Sequence, residues 1–335
     1  MIGDRHLAVS VQIAPGLQVN TLARDVRSGL TQAFKELPPK YLYDDRGSEL
    51  FDQICRLPEY YPTRTERAIL ESSAASVIAQ TGAAELVELG SGTAAKTRHI
   101  LDATQAAGTL GSYVPFDISE IVVRDSAQAI AGEYPELREV QGIVGDFEQH
   151  LGLIPAANGN GPRMVALLGG TIGNFPPPTH RRILSSIAGL LGSEDHLLLG
   201  ADLVKDPAVI SAAYNDAAGV TAEFNLNMLA VINRELGADF NPDNFEHIAR
   251  YDLDHEWIEM RLRAQADCTV HIPVLDLDVS FAAGEEMRTE ISAKFTPERI
   301  ATDLQASGLT LVDLYADEAE LYSLILAKPS ESDPD

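Results

Sequence analysis

At 335 residues the chain exceeds one ordinary domain, so two packed units of about 100 to 200 residues are expected. Its formal net charge of -25 argues against nucleic acid or an anionic membrane surface as partner, because both repel such a chain, and points to a small molecule. Cys55 and Cys268 are too few and too far apart for a disulfide framework or a zinc site, and they read as reduced, partly buried thiols.

The opening Met1-Ile2-Gly3-Asp4-Arg5-His6 has no basic stretch followed by a long apolar run, and no later run approaches the ~18 apolar residues of a membrane span. A cytoplasmic protein is therefore expected. Between 65 and 203, helix-like and strand-like segments alternate: helices at 65–80, 96–107 and 121–133, and strands ending at Glu88, Asp117, Val144, Leu168 and Asp202. Five parallel strand candidates in this rhythm predict a doubly wound α/β sheet, completed by a helix at 297–307 and strands at 309–315 and 321–327. Residues 204–294 interrupt the pattern. One or two helices are expected at 207–236, then mostly alternating strands at 257–262, 268–272, 275–281 and 289–295. The expected division is a cofactor-binding domain of 65–203 and 295–328, a discontinuous α+β substrate-binding domain of 1–64 and 204–294, and a polar, disordered tail at 329–335.

The chemistry concentrates at the strand ends. Val87-Glu88-Leu89-Gly90-Ser91-Gly92-Thr93 is an apolar strand ending in an acid and two glycines, which let backbone approach a ligand that side chains would exclude. Gly90 to Ala95 also fits the G-x-G-x-x-A dinucleotide fingerprint, so the glycines alone do not separate NAD from S-adenosylmethionine. Glu88 helps to separate them: a carboxylate there suits the charged amino-acid end of adenosylmethionine, whereas dinucleotide sites leave that position to the pyrophosphate. Asp117 stands where a carboxylate accepts both ribose hydroxyls, which a dehydrogenase would also use. Asp146 and Phe147 suit an adenine amino group and the face of the base. Leu167-Leu168-Gly169-Gly170-Thr171-Ile172-Gly173-Asn174 opens an apolar run into a small-residue loop with one amide at its end.

With these motifs assembled, the chain resembles the histidine-specific N-alpha-methyltransferases, which make hercynine on the route to ergothioneine. The resemblance runs through nearly the whole chain: Leu37-Pro38-Pro39-Lys40 with Tyr43-Asp44 and Gly47-Ser48, the segment from Leu57 through Tyr60 to Glu66, the Glu88 glycine motif, Thr171-Ile172-Gly173-Asn174, and Gly284-Glu285-Glu286 with Thr289-Glu290-Ile291-Ser292. Two positions depart from it, Gly170 for an expected serine and Ala293 for a frequent cysteine. It implies a Rossmann-like class I methyltransferase sheet, S-adenosyl-L-methionine as cofactor with S-adenosyl-L-homocysteine as product, and L-histidine as substrate. It implies a cofactor set of Glu88, Gly90, Ser91, Gly92, Lys96, Asp117, Asp146 and Phe147. Tyr60, Asn174 and Tyr214 would hold the alpha-carboxylate and alpha-amine, with Tyr43 near the amine and Asn174 and Tyr43 acting in catalysis. Glu290 and Ser292 would read the imidazole, with Met260 and Phe51 as apolar walls. Residues i and i+2 of a strand share a face, so that pair can grip two atoms of one ring independently of any resemblance.

Plainer meanings compete. Without the resemblance, Tyr60-Tyr61-Pro62 reads as a packed loop, and Glu290 and Ser292 as the solvent face of an alternating strand. Asp243, Glu246 and His247 have helical spacing, but a solvated helix start after Pro242 is the better reading than a metal site, and no metal is assigned. His255 and His271 read as ordinary hydrogen-bonded histidines. The alternatives are methylation of another amino acid's nitrogen, a nicotinamide oxidoreductase, which leaves Glu88, Asp146 and Asn174 without a role, and a module that only senses adenosylmethionine. A monomer is the favoured state.

Overall fold

The computed structural model describes residues 8–14, 19–157 and 159–330, so residues 331–335 of the expected disordered tail lie outside it. The chain separates into two compact units, one made of residues up to 15, 64–203 and 295 onward, the other of 16–63 and 204–294.

The first unit is built on an eight-stranded sheet. Its order is Ala8–Ile13, Glu139–Val144, Ser112–Asp117, Glu85–Leu89, Arg163–Leu167, His196–Asp202, Tyr322–Pro329 and Leu309–Ala316. The first six are parallel; Tyr322–Pro329 runs against them, and Leu309–Ala316, antiparallel to it, runs with them again. Glu85–Leu89 and Arg163–Leu167 are buried at every residue, as strands covered on both faces must be, which explains their unbroken apolar runs. Their first residues pair: Arg163 Nε donates to Glu85 at 2.7 Å inside the protein. From the helix Tyr61–Thr81, Ile69, Leu70, Val77 and Ile78 join a core with Leu86, Met164 and Leu324. Pro115 lacks an N–H, and the pairing with Glu139–Val144 skips Val114 and Pro115. The strand order reverses on either side of Glu85–Leu89, so the glycine loop after Leu89 opens at the sheet's switch point, where doubly wound folds bind ligands.

Residues 8–13 correct the expectation that 1–64 lie wholly in the second domain. They form an edge strand parallel to Glu139–Val144; the alternation of Val9, Val11 and Ile13 with Ser10 and Gln12 suits a strand, but the distant partner is not legible locally.

In the second unit the sheet order is Lys35–Glu36, Glu286–Ala293, Trp257–Ala264 and Phe245–Asp252, with a separate hairpin of Cys268–Ile272 and Leu277–Phe281. The helices Val19–Leu30, Asp45–Ile54, Pro207–Ala213 and Val220–Leu236 complete it. The segment after Pro242 is one 3-10 turn, Pro242–Asn244, followed by a strand and not a helix. Pairing with Trp257–Ala264 along its whole length outweighs the local helix-start pattern.

Candidate functional site

In the first unit, Glu88 is the penultimate residue of the strand Glu85–Leu89, deep in the sheet and 3 % exposed. Its Oε2 accepts from Tyr113 Oη at 2.6 Å and from Thr97 Oγ1. Burial pushes its carboxyl up to about 7, against the downward pull of those two hydrogen bonds and of Lys96. Both partners hold the same oxygen, Oε2. Gly90 (φ 75°) and Gly92 (φ 49°) turn the loop through the left-handed region, and a Cβ on either would meet nothing within 4 Å, so the space above the turn is open. Ser91 Oγ is buried in this turn with no hydrogen-bond partner among the described residues. Such an orphaned hydroxyl beside an open glycine cradle fits a polar ligand that completes it. Asp117 closes the far side, where Oδ2 accepts from Gly92 N at 3.0 Å and Oδ1 from Ser119 N at 3.1 Å. Burial raises its pKa, opposed by the same two backbone donors.

Asp146 caps the short helix Phe147–His150, accepting from Glu148 N at 2.9 Å and Gln149 Nε2 at 3.1 Å, and Phe147 stacks edge-on to Phe175 at 5.6 Å. Lys96 was expected among cofactor ligands, and its ammonium pairs with the fully buried Glu66. The other Glu66 oxygen accepts from Gly169 N at 2.7 Å and Tyr322 Oη at 2.9 Å. Glu66 thus ties the helix Tyr61–Thr81, the glycine turn and the loop after Arg163–Leu167 into one brace. A Cβ at Gly200 would lie 2.1 Å from that carboxylate, which is why glycine stands there. Asn174 ends the 3-10 turn Thr171–Asn174 that follows Gly170.

In the second unit, an aromatic cluster joins four of the eight expected substrate-side residues, Tyr43, Phe51, Tyr60 and Tyr214. Tyr43 lies edge-on to Phe51 at 5.4 Å and to Phe224 at 5.3 Å, Phe51 meets Tyr60 at 6.1 Å, and Tyr60 meets Tyr214 at 6.1 Å. The local sequence places these rings. Asp44 caps the helix Asp45–Ile54 through Gly47 N and also accepts from Asn227 Nδ2 at 2.7 Å, while a Cβ at Gly47 would sit 1.6 Å from Leu42 O. The Tyr43-Asp44 to Gly47-Ser48 motif is therefore a tight helix entry that aims Tyr43 and Phe51. Burial and the neighbouring Tyr214 hold the Tyr60 hydroxyl well above its ordinary range, so it stays protonated.

A register shift decides the face of Glu290. Glu286 lies opposite Arg263 and Arg288 opposite Arg261, in an ion network that includes Glu259. Between Arg288 and Glu290 the pairing slips, so Glu290 stands opposite Met260 and Ser292 opposite Ile258, on the other face. Thr289 is the extra residue; its hydroxyl shares its one hydrogen between Met260 O, at 3.0 Å, and Asn225 Oδ1. Asn225 also donates to His247 Nδ1 at 2.9 Å, and His247 Nε2 to Tyr214 O at 2.9 Å, so one buried chain steadies the bulge and the backbone of Tyr214. His247, read in sequence as a solvated helix residue, is a structural strut. Glu290 is buried and its carboxyl is pushed up to about 8 by burial, with Lys294 pulling it down. Tyr214 Oη donates to Ser292 Oγ at 2.8 Å.

Four participants escape the sequence reading: Glu66, Phe224, Asn225 and Lys294. The i, i+2, i+4 spacing of Glu290, Ser292 and Lys294 on one strand face is the signal that would have found the last.

The family described as histidine-specific methyltransferase, SAM-dependent, matches residues 22–329. A histidine N-alpha-methyltransferase of Mycolicibacterium smegmatis is 51 % identical over 321 residues, covering 96 % of this chain and 99 % of its own. One of Mycobacterium tuberculosis is 51 % identical over 306 residues, 91 % of this chain and 94 % of its own. Ergothioneine biosynthesis protein 1 of Neurospora crassa is 30 % identical over 305 residues, which is 89 % of this chain and 34 % of that longer protein.

Proposed function

Because the chain belongs to the family of histidine-specific, S-adenosylmethionine-dependent methyltransferases, we propose that it methylates the alpha-amino nitrogen of L-histidine three times, yielding hercynine as the first step toward ergothioneine. The observation that carries the substrate reading is the bulge that turns Glu290 and Ser292, an acceptor and a hydroxyl, onto the Met260 face of the sheet.

In this reading the first unit is the cofactor domain and the second the substrate domain. Glu88 Oε1 takes the cationic amino-acid end of S-adenosyl-L-methionine, the Gly90-Ser91-Gly92 turn cradles it, Asp117 accepts from the ribose, and Asp146 and Phe147 take the adenine. Lys96 acts through its pairing with Glu66, which steadies the loop. When bound, the cofactor supplies a methyl group already activated on a sulfonium and leaves as S-adenosyl-L-homocysteine. The protein's own contribution is alignment of the uncharged amine. Tyr60 and Tyr214 hold the substrate's carboxylate and amine. Tyr60, kept protonated, is a neutral donor to the carboxylate, and Tyr43 or a water it orders receives the proton lost before each transfer. Tyrosine rings stabilise the ammonium as methyl groups accumulate.

The net charge of -25 supports a small-molecule substrate in place of nucleic acid or membrane, and a cytoplasmic monomer belongs to the same reading. No described helix is long and apolar enough to cross a membrane. The test is a time course with histidine and excess cofactor, followed by mass spectrometry with fragmentation. Mono-, di- and trimethylated products should appear in turn, all on the alpha nitrogen. Methyl on a ring nitrogen, arrest after one transfer, or faster turnover of another of the twenty amino acids would overturn the proposal.

A further inference from the structure

Lys294 immediately follows the strand Glu286–Ala293 and has no exposed surface. Its Nζ lies 2.8 Å from Ser292 Oγ and 3.2 Å from Tyr214 Oη, and 4.8 Å from the centre of the Tyr214 ring. Burying an ammonium costs several kcal/mol unless it is paired, and an apolar residue of similar volume packs without that cost. Glu290, two turns of the pleat away on the same face, feels its charge, which pulls the Glu290 carboxyl down against the effect of burial.

The chemistry of the three groups restricts their hydrogens. An ammonium has donors and no lone pair, whereas a hydroxyl has one hydrogen and two acceptor sites. Lys294 therefore donates to both hydroxyls. Tyr214 donates to Ser292, so the Ser292 oxygen receives two hydrogen bonds and its own hydrogen has to point away from both. We propose that Lys294 is a positioning residue that sets the polarity of the ring-binding face, obliging Ser292 to donate so that the pocket accepts a neutral imidazole with one N–H for Glu290 and one bare nitrogen for Ser292. This rests on the reading that Glu290 and Ser292 meet the substrate ring. It explains why the selectivity is for a ring with two unlike nitrogens: a ring offering only an N–H leaves the Ser292 hydrogen unpaired, and an imidazolium presents a second donor to a donor.

The test compares L-histidine with its pyrrole analogue, which keeps a ring N–H and lacks the bare nitrogen, by kcat/KM in the wild type, Lys294→Met, Ser292→Ala and the double variant. The wild-type preference for histidine should fall at least about tenfold in Lys294→Met and in Ser292→Ala, and adding Lys294→Met to Ser292→Ala should change it by less than about twofold. Lys294→Arg, which keeps a cationic donor, should restore much of the preference. If Ser292→Ala loses the preference while Lys294→Met keeps it, Lys294 has no such role although the pocket reading stands. If Ser292→Ala keeps the preference, the pocket reading itself fails. A measurement on the unaltered protein covers the case in which Lys294→Met does not fold: nitrogen NMR of bound, ring-labelled histidine should show one protonated and one hydrogen-bonded bare nitrogen. Two protonated nitrogens would overturn the proposal.

Discussion

Replacing Glu290 with glutamine removes its charge and keeps its shape, so the variant isolates what ionisation does in the ring pocket. Burial raises the Glu290 carboxyl from an ordinary 4.5 to about 8, against the pull of the Lys294 ammonium. At pH 7 ionising it costs about 1.4 kcal/mol, and about a tenth of empty pockets hold the carboxylate; at pH 9 about nine-tenths do. In the proposed pocket the carboxylate would accept an imidazole N–H in a charge-assisted bond, stronger than the amide's by about 1 kcal/mol. The Michaelis constant for histidine in Glu290→Gln, divided by that of the wild type, should therefore rise from near one at pH 6.5 to about five at pH 9. Deprotonation of the substrate amine also favours turnover as pH rises, but it acts on both proteins and cancels in the ratio. Homocysteine-product release across pH 6.5 to 9.5 gives the constants, and calorimetry of cofactor binding provides the control, which should not change. The same pKa has a consequence for stability. A carboxyl raised on folding contributes stability that is fully present below about 4.5 and lost as pH rises through about 8, so the wild type should lose thermal stability over that window relative to Glu290→Gln. A ratio independent of pH, or one that falls as pH rises, would refute the reasoning.

Glu88, held up near 7 by burial, should lose its proton when the cationic end of adenosylmethionine arrives, so cofactor affinity should rise between about pH 6 and 8. Calorimetry in buffers of different ionisation enthalpy should report proton release that vanishes in Glu88→Gln; proton uptake would contradict the assignment. Asp117→Ala removes the proposed ribose acceptor together with the anchors of Gly92 N and Ser119 N, and should weaken cofactor binding by ~1 to 3 kcal/mol, about ten- to a hundredfold. Unchanged affinity in a folded variant counts against it. Arg163→Ala leaves Glu85 buried without its guanidinium and should destabilise the protein by ~3 to 5 kcal/mol in denaturant titration. A loss below about 1 kcal/mol would show that water or another group takes over the partnership.

Much of the first unit is legible in the sequence because its signals are local. A strand buried on both faces needs an unbroken apolar run, and a ligand loop at its end needs small residues and an acid, so Val87 to Gly92 carries its meaning whatever surrounds it. The strands Ala8–Ile13 and Phe245–Asp252 are different: the first pairs with Glu139–Val144, far away in sequence, and the second is the first arm of a hairpin with Trp257–Ala264 although Pro242-Asp243 locally favours a helix start. The ring pocket shows the limit most clearly. Simple alternation puts Glu286, Arg288, Glu290 and Ser292 on one charged face, which is the solvent-facing reading. Thr289, inserted into the ladder and held by Met260 O and Asn225, reverses the direction of every side chain after it, and Glu290, Ser292 and Lys294 leave the arginine network for the Met260 side. The sequence by itself determined which chemical groups this strand carries and in what order. Which face they occupy was decided only by the tertiary structure, because side-chain direction in a strand has a period of two and a single extra residue, visible only against the partner strand, inverts it.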